Sequence, residues 1–471
     1  MPGHKRNMQS YPMEEIYGID ITEIDGFDNL HHAEGMLLQT MQKAAALYRS
    51  EETHFLVNGS TCGILSSISA AVKKGGKILI ARNSHKSAYN AMLLRELRPV
   101  YLYPKIQKEY AILGGIDPED VERALEQDVQ IEAVFITSPT YDGIVSDVKR
   151  IVEIVHRKKI PLIIDEAHGA HFGFHPEFPQ SSVALGADVV IHSVHKTLPA
   201  FTQTALIHIN GNLIDRDRIN QFLGIYQTSS PSYILMCGIE NCIDLVSQRG
   251  TELLQSLHNN ILKFHAACNN LHYIRVVNQS IIGKDEIYDF DFSKIIISVK
   301  GTSMSGKELY DILLHRYHLQ MEMEAPTYVL GISSVMDTKR GFERLAAALI
   351  QIDREISEKA NRDLKTKTSD EGTDVIENEI IEKSLFVSRE IEINYSISEV
   401  ENLALESIPL ESSQNRISGE FVFLYPPGIP ILVPGETISK RIFELILAYK
   451  RKRFMIQGPS DHELKKIKVV K

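Results

Sequence analysis

Through the first half of this chain, seven short apolar runs alternate with helical patterns. This rhythm restricts the fold more than any other feature. The runs fall at 54–57, 77–81, 99–103, 132–137, 161–165, 188–192 and 204–209, with helical patterns between them at 61–73, 86–96, 118–126 and 147–157. A strand buried on both faces reads as a continuous apolar run, and a parallel neighbour is reached only through a crossover, usually a helix. The alternation therefore predicts an α/β architecture: a mostly parallel seven-stranded sheet with helices on both faces. Gly75 and Gly76 stand where glycine would close the first crossover helix.

The remaining chain divides by the same reading. Residues 1–30 lack a clear period and are expected as an N-terminal arm, followed by a helix at 33–49. Apolar residues at three- and four-residue spacing predict one long helix over 232–268. Strands at 293–300 and 327–335 flanking a helix at 305–317 make a second, smaller α/β unit. From Arg362 to Ser384 the chain is rich in charge, Ser and Thr, and the first half of this stretch reads as a linker. The apolar stretch at 421–430 and a closing helix at 437–449 belong to a third unit. The expected division is an arm 1–30, a large domain 31–290, a small α/β domain 291–360, a linker 361–378 and a C-terminal domain 379–471. No internal repeat is evident.

Composition removes several classes of function. The net charge of −10 argues against a general nucleic-acid binder, which would be basic. The run from Lys450 to Arg453 is read as a solvated helix end that complements the helix dipole. Cys62, Cys237, Cys242 and Cys268 form no Cys-x-x-Cys pair, so neither a zinc site nor a redox motif is suggested, and free thiols point to a reducing compartment. His31-His32 has no partner at ligand spacing, and no metal site is expected. The N-terminus has no apolar signal region and no run reaches 18 apolar residues, so no membrane association is expected and a cytoplasmic location is the simplest reading.

The chemistry lies at the ends of the apolar runs. Ser193-Val-His-Lys-Thr197 follows Ile163-Ile-Asp-Glu-Ala-His-Gly169 by about thirty residues. This arrangement suits pyridoxal phosphate. Lys196 would form a Schiff base with the cofactor aldehyde, and Asp165 would keep the pyridine nitrogen protonated as an electron sink. A carboxylate at a strand end is costly unless paired, although an ordinary helix N-cap is the alternative. His168 is a candidate donor to the cofactor's phenolic oxygen, and His195 a candidate for proton transfer beside Lys196. Asn58-Gly-Ser-Thr61 joins a strand to a helix start, where free N–H groups and the Ser60 and Thr61 hydroxyls would face a phosphate. Ser193 would add another contact. His85 follows a strand, where open α/β sheets place ligands. Thr140 and Tyr141 either border the site or serve a turn.

With these motifs the chain resembles the bacterial ornithine/lysine/arginine decarboxylase family of pyridoxal phosphate enzymes, in its short form. The resemblance is carried by Pro2-Gly-His-Lys5, Asn58-Gly-Ser-Thr61, Arg82-Asn-Ser-His-Lys86, Asp165-Glu-Ala-His-Gly169 and Ser193-Val-His-Lys196. It continues through Gln227-Thr-Ser-Ser-Pro-Ser-Tyr233, Tyr425-Pro-Pro-Gly-Ile-Pro430 and Val433-Pro-Gly-Glu436. It implies the type I, aspartate-aminotransferase-like fold. It also implies Lys196 as the Schiff-base lysine, Asp165 as the pyridinium partner, His85 stacked on the ring, and Ser60, Thr61 and Ser193 on the phosphate. The Thr228-Ser229 segment is expected to reach the cofactor of a neighbouring subunit, which makes a homodimer the minimum unit and larger homo-oligomers a possibility. The Tyr-Pro-Pro-Gly segment and Glu436 are expected near the entrance.

The activity implied is α-decarboxylation of a basic L-amino acid, arginine to agmatine first and lysine or ornithine next, in the setting of polyamine biosynthesis. His195 or Lys196 is the candidate acid that protonates the α-carbon. Glu322, Glu324 and Glu436 are the candidates to read the substrate side chain. Two competing readings stay open at this point. One is an aminotransferase or acyltransferase using the same cofactor; the other is a catalytically silent homologue that regulates a working enzyme.

Overall fold

The computed structural model describes Lys5 and residues 14–366, 391–425 and 428–471. Pro2, Gly3 and His4 of the N-terminal motif, and Pro426-Pro427, lie outside the described residues. The seven expected strands form within a residue or two of their expected bounds: β1 Glu52–Leu56, β2 Lys77–Ala81, β3 Arg98–Leu102, β4 Ile131–Thr137, β5 Leu162–Asp165, β6 Val189–His192 and β7 Ala205–Ile209. They make one sheet in the spatial order β1-β7-β6-β5-β4-β2-β3. Neighbours from β3 across to β6 are parallel. β7 runs antiparallel to both β6 and β1. Six strands therefore bring their C-terminal ends to one edge, and β7 brings its N-terminal end to the same edge.

Alternate side chains of a strand leave opposite faces, which explains why both faces of this sheet are covered. Ile78, Ile80, Phe135, Ile163 and Ile191 enter a core that includes residues of the helices Gly59–Ala71, Lys86–Leu94 and Arg216–Tyr226. Leu79, Val134, Ile136, Leu162, Ile164 and Val190 enter another, with the helices Pro118–Gln127 and Val148–Arg157. Each such fully buried side chain stabilises the sheet by about 1.5–3 kcal/mol. The first crossover helix ends differently from expectation. Val72 turns extended and is fully buried, and Gly75, at φ +76°, bends the chain towards β2 beyond the helix end.

The helix Tyr233–Cys268 forms as its spacing predicts, beginning after Ser232, whose hydroxyl accepts from the Leu235 N–H. Beyond it stands an antiparallel sheet of β8 Arg275–Val276, β9 Lys294–Ser298, β10 Met323–Glu324 and β11 Tyr328–Ile332, in the order β8-β9-β11-β10. The expectation missed β8 and β10, which at two residues each are too short to carry a period. The helix Gly306–Tyr317 starts at a reciprocal Ser305–Glu308 capping box.

The helix Lys339–Thr366 packs along Tyr233–Cys268 and was not among the expected elements. Its signal is nonetheless present, since buried Phe342, Ala346, Leu349, Ile352 and Ile356 recur every three or four positions. It continues into the segment expected as a linker from 361; the rest of that segment, 367–378, lies outside the described residues. The short helix Glu14–Ile19 interrupts the expected arm. In the C-terminal part, Val422–Leu424 pairs with Ile429–Leu432 and Ile456–Gln457, and Leu405–Pro409 pairs with Lys466–Val470. The closing helix runs Lys440–Arg451, later than expected, because Ser439 caps it through the Ile442 N–H. Among the described residues no helix is long and apolar enough to cross a membrane.

Candidate active site

The edge where the strands end opens into a cavity of about 1000 Å³. Its wall carries the residues following β1 (Ser60, Thr61), β2 (Arg82, Asn83, His85) and β4 (Thr140 to Asp142), with Asp165 at the end of β5 and His168 beyond it. Those following β6 (Ser193, His195, Lys196) and the small-sheet residues Glu322 and Glu324 complete it. Thr228 does not line this cavity. Its N–H donates to Asn58 Oδ1 at 3.3 Å, and its carbonyl lies 2.8 Å from His31 Nε2. Glu436, expected near the entrance as a reader of substrate, is corrected by the structure. It is buried and paired with Arg82 at 3.1 Å, outside the cavity wall.

Asp165 and Glu166 are consecutive and diverge. Asp165 lines the cavity, and one of its oxygens accepts from the Ala167 N–H at 3.1 Å. Burial raises its pKa, and Lys196 opposes that shift. Glu166 turns into the protein, where Ser181, the Ser182 N–H and His192 satisfy it. Asp165 is therefore the carboxylate free to meet a cationic N–H.

Lys196 Nζ lies 2.9 Å from His168 Nε2. Loss of solvation pushes the amine below the usual lysine range, with Asp165 partly offsetting it. The other ring nitrogen of His168 lies 2.8 Å from the amine of Lys294, a fully buried lysine that the sequence reading did not single out. A lysine heading the apolar run Lys294-Ile-Ile-Ile-Ser298 is the signal that could have found it, because a charge in a buried strand is costly without a partner.

His85 caps the helix Lys86–Leu94 by accepting from the Ser87 N–H. Burial first, then Lys196 and Lys86, lower its pKa to about 4, so the ring is neutral at physiological pH and suited to stacking on a flat face. Gly428, at φ +86°, backs it; a Cβ there would stand 3.4 Å from the ring. The Tyr141 ring meets His168 edge-on at 4.7 Å, and its hydroxyl donates to Glu322. Thr140 serves the turn, its hydroxyl accepting from the Ile144 N–H at 3.1 Å. Asp142, another residue not anticipated, accepts from Tyr328 at 2.8 Å, and burial raises its carboxyl to about 6.

At the other end of the cavity Ser60 Oγ and Ser193 Oγ are 2.6 Å apart. The helix Gly59–Ala71 begins beside them with no side-chain cap on its first turn, and Gly59 at φ +73° makes the entry. Uncapped N–H groups, two hydroxyls and the positive end of the helix dipole are the donor set of an anion site. Thr137 Oγ1 and Asn83 Oδ1 also line the cavity, buried and without a hydrogen-bond partner. An amine, a carboxylate, an anion cradle and unspent polar atoms thus converge on one space. They fit a flat phosphorylated aldehyde with a basic ring nitrogen.

Comparisons with known proteins agree over the whole chain. The family model "Orn/Lys/Arg decarboxylase, major domain" matches residues 2–306, and that for the C-terminal domain matches residues 378–456. An arginine decarboxylase of Bacillus subtilis is 31% identical over 477 residues, covering 100% of this chain and 94% of that protein. One of Bacillus anthracis is 30% identical, covering 100% and 93%. The crystal structure of a Francisella novicida lysine decarboxylase shares the fold with a TM-score of 0.81 at 19% identity, covering 97% of this chain and 75% of that one.

Proposed function

The chain belongs to the Orn/Lys/Arg decarboxylase family, and from that premise we propose that it is a pyridoxal phosphate enzyme that releases CO2 from a basic L-amino acid, arginine before lysine or ornithine. The observation that carries the substrate class is the match, at about 30% identity and end to end, to relatives named arginine decarboxylase. When bound, pyridoxal phosphate supplies the electron sink for the pair left behind as the carboxylate departs.

The protein's own residues do the rest. Ser60, Thr61, Ser193 and the first turn of Gly59–Ala71 would hold the phosphate. Asp165 would hold a proton on the ring nitrogen, His85 would lie against the ring, and Lys196 would supply the amine that anchors the aldehyde. His195 donates from Nδ1 to the Thr204 carbonyl, 2.8 Å away, which leaves Nε2 as an acceptor. Burial lowers its pKa as well. At neutral pH it is therefore uncharged and has no proton on Nε2 to give. Lys196, given a proton by the substrate's ammonium group as that group takes its place, is therefore the better donor to the α-carbon, with His195 beside it.

Glu322 is the carboxylate we assign to the substrate's cationic end. It lines the cavity, Tyr141 fixes one of its oxygens, and a planar guanidinium matches a carboxylate. Glu322→Gln is expected to raise KM for arginine about 10- to 100-fold, the weight of one charge-assisted hydrogen bond, with a smaller change in kcat. Steady-state kinetics on arginine and lysine would reveal it; an unchanged KM would remove Glu322 from the role.

A homodimer is proposed as the minimum unit, with Thr228 reaching the neighbouring site. Exposed Ile16, Ile19, Ile24, Phe27 and Met36 support a buried N-terminal face in the assembly. Four free cysteines support a cytoplasmic setting. The proposal is tested by mass spectrometry of the amines formed when loaded protein meets arginine, lysine and ornithine together. Agmatine should dominate, which would place the enzyme at an entry to polyamine synthesis. Cadaverine or putrescine as the main product would reassign the substrate, and a keto acid without amine would overturn decarboxylation.

A further inference from the structure

The chemistry above makes no use of Lys294. It is the first residue of β9 and is fully buried. Its stem lies against Gly143, at φ +93°, where a Cβ would come within 2.6 Å of Lys294 Cγ. The fold thus clears space for this side chain and aims its amine at His168 Nδ1, 2.8 Å away, while Lys196 holds Nε2 at 2.9 Å.

A neutral imidazole has one N–H and one lone pair, so two ammonium groups cannot both donate to it. His168 is neutral, because burial, Lys196 and Lys294 together push its pKa far below the usual histidine value. One of the two amines must therefore be an unprotonated acceptor. The neighbouring charges decide which. Burial lowers Lys294 to about 8 and Lys196 presses the same way, while Asp291, Glu322 and Asp142 raise it, so at neutral pH it keeps its proton. Burial lowers Lys196 as well; Asp165 and Glu322 oppose it, and on the reading above Asp165 is committed to the ring nitrogen. His85 and His195, both adjacent, are held towards their neutral forms by burial and add no positive charge at neutral pH.

We propose that Lys294 is a positioning residue: its ammonium donates to His168 Nδ1, fixes that ring with its proton on Nε2, and so keeps the Lys196 amine unprotonated and ready to capture an aldehyde. In the capture a C=N bond forms, and the two hydrogens of the Lys196 amine leave with the aldehyde oxygen as water. The inference rests on Lys196 being the cofactor lysine.

The test follows capture rather than turnover. Cofactor-free protein is mixed with pyridoxal phosphate over a pH series, and the visible absorption of covalently bound cofactor is timed. Borohydride trapping and peptide mass spectrometry then identify the lysine. Wild type should trap on Lys196, with a pH midpoint below that of an ordinary lysine. Lys294→Met should raise that midpoint by about one unit and slow capture at neutral pH about tenfold, while Lys294→Arg, which keeps a charged donor, should not. With His168→Phe already in place, Lys294→Met should move the midpoint no further. Independently of any Lys294 variant, nitrogen-15 histidine spectra of the wild type should show His168, assigned by its loss in His168→Phe, with its proton on Nε2.

No trapping on Lys196 in the wild type would overturn both the cofactor-lysine reading and this one. Trapping on Lys196 with an unmoved midpoint in Lys294→Met would overturn this proposal alone. So would a shift of equal size without His168, or a His168 proton on Nδ1.

Discussion

Replacing Lys196 with alanine is expected to lower arginine turnover by on the order of 10⁴-fold or more, because one side chain supplies both the covalent anchor and a proton donor. The loss should fall on kcat. The phosphate cradle at Ser60, Thr61 and Ser193 and the carboxylate of Asp165 are separate from the amine, so the cofactor should still bind, with the spectrum of the free aldehyde. The fold should survive as well, since removing a desolvated amine from a cavity wall leaves the sheet cores intact. Rapid-scan absorption and single-turnover assays would separate these effects. Full steady-state turnover in this variant would end the proposed mechanism.

The second large effect concerns stability. Arg82, just after β2, meets Glu436 at 3.1 Å, and their side chains are 6% and 1% exposed. The same guanidinium donates to the Pro430 carbonyl at 2.7 Å, and Glu436 also accepts from the Val433 N–H at 2.8 Å. This pair ties the C-terminal segment to the strand edge that carries the site. Glu436→Ala would leave a buried guanidinium without its counter-charge, and is expected to cost about 3–5 kcal/mol. Replacing both partners together, Arg82→Met with Glu436→Leu, should cost far less, because no unpaired charge remains. Denaturant midpoints for the two variants give the comparison. Because the Lys86 N–H donates to the Gly428 carbonyl at 3.2 Å, and Gly428 stands behind His85, loosening this clamp should also weaken cofactor binding. If Glu436→Ala and the double replacement destabilise equally, burial rather than charge pairing holds the segment.

What the amino-acid sequence determined by itself was local or periodic. The seven apolar runs announced seven strands, because a strand covered on both faces must be apolar throughout. Asp165, His168, Ser193 and Lys196 were legible because each stands within a few residues of a strand end. Parallel strands deliver such positions to one edge whatever the details of packing. The helix Lys339–Thr366 was legible too, since Phe342, Ala346, Leu349, Ile352 and Ile356 recur every three or four positions.

Only the tertiary structure decided which distant residues complete the site. Lys294 and His168 are 126 residues apart, Tyr141 and Glu322 181, and Arg82 and Glu436 354. No period or spacing links such pairs; their contact depends on how the small sheet and the C-terminal segment dock on the strand edge. In the sequence Glu322, Glu324 and Glu436 looked alike. Docking turned the last into a structural counter-charge and set the first beside Tyr141, because a carboxylate's role follows from what lies within a few ångströms of it rather than from its neighbours along the chain.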